Sequence, residues 1–368
     1  MASIPGSQFF MATAQGQTVN AVGTNNGVLP PPNPGQFNLE VWTGDPADAP
    51  TTPAPGYQGL AVVSNDGHQI DLISGAFAIT DTNGTGQDTI NADGDNETIS
   101  GGAANVTLNV FGQNDVANGG GRDTITVFGT HDTVNGVGND LITVFGNRDL
   151  VNGGTGNDTI DLFGDHDKVV AGTGNETINA FGDGDRVVPG HGNLSVNLYG
   201  DHFDLDKGIG NETVNAFGSH GFAELNTGNA TVNVSGDHDL IVGGSGNDTV
   251  DLSGNRDLFV TGSGHSALSV DGEDDKVAAG YQTGVSVSQI TVGGSDFTLS
   301  DGPNTNFDTI VGFDQSAGDR IHLTTESVSD ALGHSMQING GHDTLITLND
   351  GSTILLKGVS HIDHSFFS

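Results

Sequence analysis

The sequence contains no cysteine, so no disulfide can staple its fold. Basic residues are scarce: 9 Lys and Arg stand against 46 Asp and Glu, a formal net charge of −37. Such a chain repels nucleic acid, anionic lipid and itself, so neither nucleic acid nor a lipid surface is an expected partner, and a divalent cation would relieve the repulsion. No apolar run approaches the length of a transmembrane helix, so no membrane span is expected. The opening residues MASIPGSQFFMATAQGQ lack a basic start and an apolar core; no secretory signal peptide is expected there, and export would need another signal. Catalytic motifs are missing too. There is no HExxH, no nucleotide loop and no Ser-His-Asp arrangement with its surrounding motif, and the many carboxylates recur as periodic columns rather than as an acid/base pair. The chain is not expected to be an enzyme.

What is present is glycine, 59 residues of it, placed periodically. The stretch from Gly154 reads GTGNDTIDLFGDHDKVVA, and from Gly172 GTGNETINAFGDGDRVVP. Phe163, Phe181, Tyr199 and Phe217 recur every 18 residues, and Phe111, Phe128 and Phe145 every 17. A fixed short period signals stacked repeats. Each repeat has two halves, a Gly/Asp/Asn turn followed by a short strand with alternating pattern. One inner column runs Ile125, Ile142, Ile160, Ile178, Val196, Val214, Val232, Val250, and a second Val127, Val144, Leu162, Ala180, Leu198, Ala216, Val234, Leu252. The opposite strand supplies Val134, Val151, Val169, Val187, Leu205, Ala223, Ile241, Phe259 and Val277. No single coil buries these residues; stacking at about 4.8 Å makes one continuous core between two parallel sheets. The expected fold is all-β, a parallel β-roll or β-solenoid of 17–18-residue coils.

Composition divides the chain. Residues 1–80 carry proline-rich stretches around one strand-like segment, Phe37–Trp42, and read as an N-terminal segment and cap over the open edge of the roll. Residues 81–280 are the roll. Residues 281–368 lose the period and read as a small C-terminal β domain, with Asn349-Asp350-Gly351 as a hairpin turn.

The turns Gly154-Thr-Gly-Asn-Asp158 and Gly244-Ser-Gly-Asn-Asp248 resemble the nonapeptide of RTX (repeats-in-toxin) proteins. The tail, with Leu356-Lys-Gly-Val359 and Phe366-Phe367, resembles the C-terminal region of proteins that leave through type I secretion systems. The resemblance implies Ca²⁺ between successive turns, held by Asp carboxylates and turn carbonyls, and glycine suits the approach of carbonyls to an ion wanting six to eight oxygens. Carried over, one side offers Gly138 with Asp140, Gly156 with Asp158 and Gly174 with Glu176, preceded by Asp123. Asp248 and Glu212 are in phase but isolated, with Leu194, Ala230 and Ser266 in the acid's place between and beyond them. The other side departs from the family pattern. It has one column of Asp132, Asp149, Asp167, Asp185, Asp239, Asp257 and Asp275, and a second of Asp165, Asp183, Asp201 and Asp237. Phe203 and Gly221 stand where other coils have Asp. The competing reading is that these side chains cap tight turns through local hydrogen bonds.

Other columns have plainer readings. His131, His166, His202, His220 and His238 read as exposed turn residues, with a transition-metal site or a pH-sensitive edge as the alternatives, and the Phe column as a structural stack, with a sugar-binding aromatic strip as the alternative. Outward Thr and Asn/Asp files make a flat polar face, and outward Val170, Val188, Leu240, Val242, Leu258 and Val260 make an apolar contact patch. The resulting expectation is a secreted, extracellular, calcium-stabilised structural protein of the bacterial surface or matrix (surface layer, filament or adhesin). It would self-associate, with the type I apparatus as its partner in export and cell-surface polysaccharide as a further one. The alternative is a polysaccharide-acting enzyme or a glycan- or ice-binding module.

Overall fold

A computed structural model describes the chain apart from residues 9, 15, 75–77, 83–86, 104, 226, 280–285 and 303–305. It is all-β, 49% strand and 5% helix, and forms a parallel β-solenoid of about 16 coils of ~18 residues. Among the described residues no helix is long and apolar enough to cross a membrane. The chain divides into two compact units, Met1–Gly182 and Asp183–Ser368.

In the first unit a longer-stranded sheet runs in parallel register through Gln87–Ala92, Asn105–Gln113, Thr124–Thr130, Leu141–Asn147, Thr159–Phe163 and Glu176–Ala180. A sheet of shorter strands faces it: Ala78–Asp81, Thr98–Ser100, Val116–Asn118, Thr133–Asn135, Leu150–Asn152 and Lys168–Val170. Ile125, Ile142, Ile160, Val134, Val151 and Val169 are all fully buried, so the inner columns form the core as the alternation requires. The pairing step is 17 residues between Asn135 and Asn152 but 18 between Asp140 and Asp158. The extra residue of the longer coil therefore falls in the turn at 153–156, and the strands keep their register.

The parallel ladder extends beyond the periodic stretch at both ends. Val19–Thr24, Phe37–Trp42 and Gly59–Val63 pair in parallel, and only the next strand, Gln69–Ser74, turns antiparallel before pairing in parallel with Gln87–Ala92. Of the apolar clusters near residue 80, the one at 76–79 lies partly outside the described residues.

In the second unit the longer sheet runs from Leu194–Leu198 through Glu212–Ala216, Ala230–Val234, Asp248–Leu252, His265–Val270, Ser286–Val292 and Asn306–Val311. The facing strands continue to Arg320–His322. The period fades after 280 because coils lengthen: Phe297 and Asp319 are coil-to-coil neighbours 22 residues apart. Asp343–Thr347 and Thr353–Lys357 form the expected antiparallel hairpin, and the second of them pairs in parallel with Asn306–Val311.

The glycines answer to coil spacing. Gly156 has φ +133°, and a Cβ there would sit 1.4 Å from the Gly138 carbonyl oxygen of the preceding coil. No other residue allows two turns to approach so closely.

Candidate functional site

The parallel register places the predicted acids in columns and turns most of them inward. Asp123, Asp140, Asp158 and Glu176 are 2–4% exposed. Each sits where a strand begins, at an N–H that needs a partner once it is buried. The partner is the carboxylate one coil ahead. Asp123 N–H donates to Asp140 Oδ1 (2.8 Å), Asp140 N–H to Asp158 Oδ1 (2.7 Å) and Asp158 N–H to Glu176 Oε2 (2.9 Å). Turn amides take some second oxygens: Gly120 N–H donates to Asp123 Oδ2 at 2.6 Å, and Val137 N–H to Asp140 Oδ2 at 2.9 Å. Asp158 Oδ2 and Glu176 Oε1 are buried with no partner. Burial raises Asp140, lifts Asp158 to about 6 and lifts Glu176 to about 7. In the second unit Asp248 accepts from Ala230 N–H and Gly244 N–H, both at 3.1 Å. Glu212 is buried in phase with it, and Leu194, Ala230 and Ser266 occupy the acid's register position in other coils.

Beside the Phe-Gly-Asp-His turns the inner column is denser. In the first unit Glu97 N–H donates to Asp115 (2.7 Å), Asp115 to Asp132 (2.8 Å), Asp132 to Asp149 (2.7 Å) and Asp149 to Asp167 (2.8 Å). The second carboxylate oxygens of Asp115, Asp132 and Asp149 are buried without a partner. Burial is the main cause that lifts Glu97 to about 8, Asp115 to about 6 and Asp149 to about 7, with neighbouring carboxylates adding to it. In the second unit Asp185 begins the column, Phe203 and Gly221 interrupt it, and it resumes. Gly221 N–H donates to Asp239 (2.7 Å), Asp239 to Asp257 (2.8 Å) and Asp257 to Asp275 (2.9 Å), and again the second oxygens of the three lack partners. Burial lifts Asp239 to about 6, Asp257 to about 7 and Asp275 to about 6.

The outer acids behave differently. Asp165, Asp183, Asp201 and Asp237 lie at the surface of the turns. Asp183 accepts from Asp201 N–H (2.8 Å), Asp201 from Ser219 N–H (2.7 Å) and Asp237 from Asn255 N–H (2.8 Å), while Asp165 N–H donates to Asn147 Oδ1 (2.9 Å). These bonds tie each turn to the same turn of the neighbouring coil, 18 residues away. The histidines beside them all have φ of 60–64°, and His202, His220 and His238 stack at centroid separations of 5.3 and 4.9 Å.

Four buried acids in register with these columns were not among the residues singled out; one is Asp88, level with Val106 and Asp123. Glu97 and Asp115 precede the residues singled out, and Asp319 follows them, accepting from Phe297 N–H and Asp314 N–H. Asp115 was within reach, since Asn114-Asp115-Val116 lies 17 residues before His131-Asp132-Thr133. Asp319 was not, because its coil has lengthened.

The donors gathered at the turns are all oxygen: orphaned carboxylate oxygens beside glycines whose backbones nearly touch. A Cβ on Gly129 would lie 2.6 Å from Asp132 Oδ2 and 1.7 Å from the Gly112 carbonyl oxygen. This set fits a hard cation such as Ca²⁺. Among the described residues no three His, Asp or Glu side chains come together as a metal cluster, so turn carbonyls would have to supply most of the ligands. No family model and no curated protein matches the chain.

Proposed function

We propose that the protein is a secreted, calcium-stabilised structural component of a bacterial surface or extracellular matrix, exported through a type I apparatus and self-associating outside the cell. The observation that carries this reading is the pair of buried carboxylate columns, whose second oxygens in most coils meet no donor. At neutral pH those oxygens must take up a proton or a cation, or remain as uncompensated charge in a chain already at −37. Ca²⁺ supplies positive charge and an oxygen-seeking coordination sphere. Gly138, Gly156 and Gly174, with Asp123, Asp140, Asp158 and Glu176, would hold it on one side; Asp132, Asp149, Asp167, Asp239, Asp257 and Asp275 would hold it on the other. Binding that requires the stacked coils adds its free energy to folding, so a chain kept unfolded at low Ca²⁺ would fold where Ca²⁺ is abundant.

Self-association is supported by the outward face of the short-stranded sheet in the second unit. Phe222, Leu240 and Leu258 align coil to coil, as do Val242 and Val260, all of them half-buried. Apolar residues set side by side on an outer face favour contact.

The test is a Ca²⁺ titration of metal-free protein followed by circular dichroism and light scattering. Disordered chain turning to β-structure and then to growing particles is the expected result. Folding that ignores Ca²⁺ would remove the calcium reading, and a monomer at high concentration with Ca²⁺ would remove self-association.

A further inference from the structure

The exposed aromatic file of the first unit is interrupted at one end. Phe111, Phe128, Phe145, Phe163 and Phe181 stack with ring centroids 4.7–4.9 Å apart and interplanar angles of 2–10°. By the parallel register the next positions beyond Phe111 belong to Asp93 and then Ile73. Asp93 is exposed and far shorter than a phenylalanine, so the file lacks one ring. Phe111 therefore ends the file: among the described residues its one stacked ring neighbour is Phe128. The gap between Phe111 and Ile73 spans two strand spacings, about 9.6 Å, enough for one inserted ring. It opens into a notch of about 500 Å³ lined by Asp71, Leu72, Ile73, Asn91, Asp93, Asn109 and Phe111.

The polar groups beside this notch are held in one orientation. Asn109 Nδ2 donates to Asn91 Oδ1 (2.7 Å), Asn91 Nδ2 to Asp71 Oδ1 (2.5 Å), and Gln69 Nε2 to the same Asp71 oxygen (2.9 Å). Among the described residues Asp71 Oδ2 and both Asp93 oxygens have no hydrogen-bond partner. These free groups are carboxylate acceptors, so a ligand must bring O–H or N–H donors. Their charge turns away anions. The ligand also needs an apolar face to lie on Phe111 and the thickness of a single ring. Most binding sites combine such an apolar wall with a few fixed polar groups.

The geometry points to a saccharide subsite, in which a neutral or amine-bearing pyranose lies on Phe111 in place of the missing ring and donates its hydroxyls to Asp93 and Asp71. The site does not depend on the calcium reading, and it gives a location to the polysaccharide partner.

The test titrates the folded full-length protein, with Ca²⁺ present, against trisaccharides of glucose, N-acetylglucosamine, glucosamine and galacturonate, with benzylamine as a non-sugar ring. Saturation-transfer NMR reads the ligand protons. At least one neutral or amino trisaccharide is expected to bind and galacturonate is not. Phe111→Ala should weaken binding by about tenfold or more. Asp93→Phe should abolish it by completing the stack, with the β-spectrum and thermal midpoint retained. The proposal is overturned if no sugar binds, if galacturonate binds as well as the others, if benzylamine outcompetes every sugar, or if Asp93→Phe binds like the parent. Ca²⁺-dependent folding is read separately, by circular dichroism of metal-free protein titrated with Ca²⁺, so failure here leaves the proposed function to its own test.

Discussion

The ring of Phe203 occupies the space that a side chain on Gly221 would need: a Cβ on Gly221 would lie 2.0 Å from Phe203 Cε1. Both stand in the column that elsewhere carries buried Asp, one coil apart. One coil supplies a large apolar side chain and the next supplies none, so the column closes there without a carboxylate. Phe203→Ala should cost about 3–5 kcal/mol by opening a cavity. Gly221→Ala should cost about 1–3 kcal/mol by displacing the ring. The double variant should be less destabilised than the two costs summed, because the second change relieves the first. Urea unfolding of the three variants in Ca²⁺ checks this; strict additivity would mean the two residues are not coupled.

Removing a single carboxylate separates its two oxygens. Asp149→Asn keeps an acceptor for Asp132 N–H and replaces the charged, unpartnered oxygen with a neutral group. At limiting Ca²⁺ and mildly alkaline pH its thermal midpoint should rise above the parent's, and its further gain at saturating Ca²⁺ should shrink. Asp149→Ala also strips the acceptor from a buried N–H and should lose about 1–3 kcal/mol in every buffer. Scanning calorimetry at limiting and at saturating Ca²⁺ distinguishes the two.

Burial raises these carboxyls above their ordinary range, to about 8 at Glu97 and about 7 at Asp149 and Asp257. Between the ordinary carboxylate range and those values, the folded chain holds more protons than the unfolded one. Stability of the protein folded at limiting Ca²⁺ must therefore fall as pH rises through that window and recover on mild acidification. If the proposed Ca²⁺ sites are these oxygens, Ca²⁺ competes with protons for them and saturating Ca²⁺ should flatten the profile. Thermal midpoints across that pH range supply the measurement. A profile at limiting Ca²⁺ that rises with pH would show that the columns are not buried as described.

The Phe file should contribute stability even though its rings are 37–44% exposed. Phe145 stacks on both Phe128 and Phe163, so Phe145→Ala should lose about 1–3 kcal/mol from two ring contacts. Phe111→Ala breaks a single contact and should lose about half as much. Equal losses in urea unfolding would argue against stacking as the source.

The solenoid core was legible residue by residue, because period-two alternation and an 18-residue repeat place Ile160 and Val169 on facing inner columns without ambiguity. Phe37–Trp42 and the Asn349-Asp350-Gly351 hairpin were legible from local pattern alone. Pairing outside 81–280 was not, since a ladder tolerates longer coils while a period read from sequence does not. Nor was the inward turn of the Asp columns. An Asp between Asn and Thr looks like surface chemistry, and its burial depends on an N–H 17 or 18 residues away. The outer Asp183, Asp201 and Asp237 accept backbone N–H groups of the next coil rather than of their own turn, while the inner Asp132, Asp149, Asp239, Asp257 and Asp275 carry the unpartnered oxygens.

From Asp123 to Glu176 each inner carboxylate serves the coil before it, and the residues on both sides of the bond are acids. A deletion of 154–171 would remove one coil and set Asp140 N–H opposite Glu176, with Ile142 opposite Ile178 and Phe145 opposite Phe181. Nothing in the ladder would register the loss. Gene segments of this length can therefore be gained or dropped by unequal recombination without passing through a misfolded intermediate. Chain length becomes a heritable variable, free to drift between lineages while the chemistry of every surviving coil stays the same.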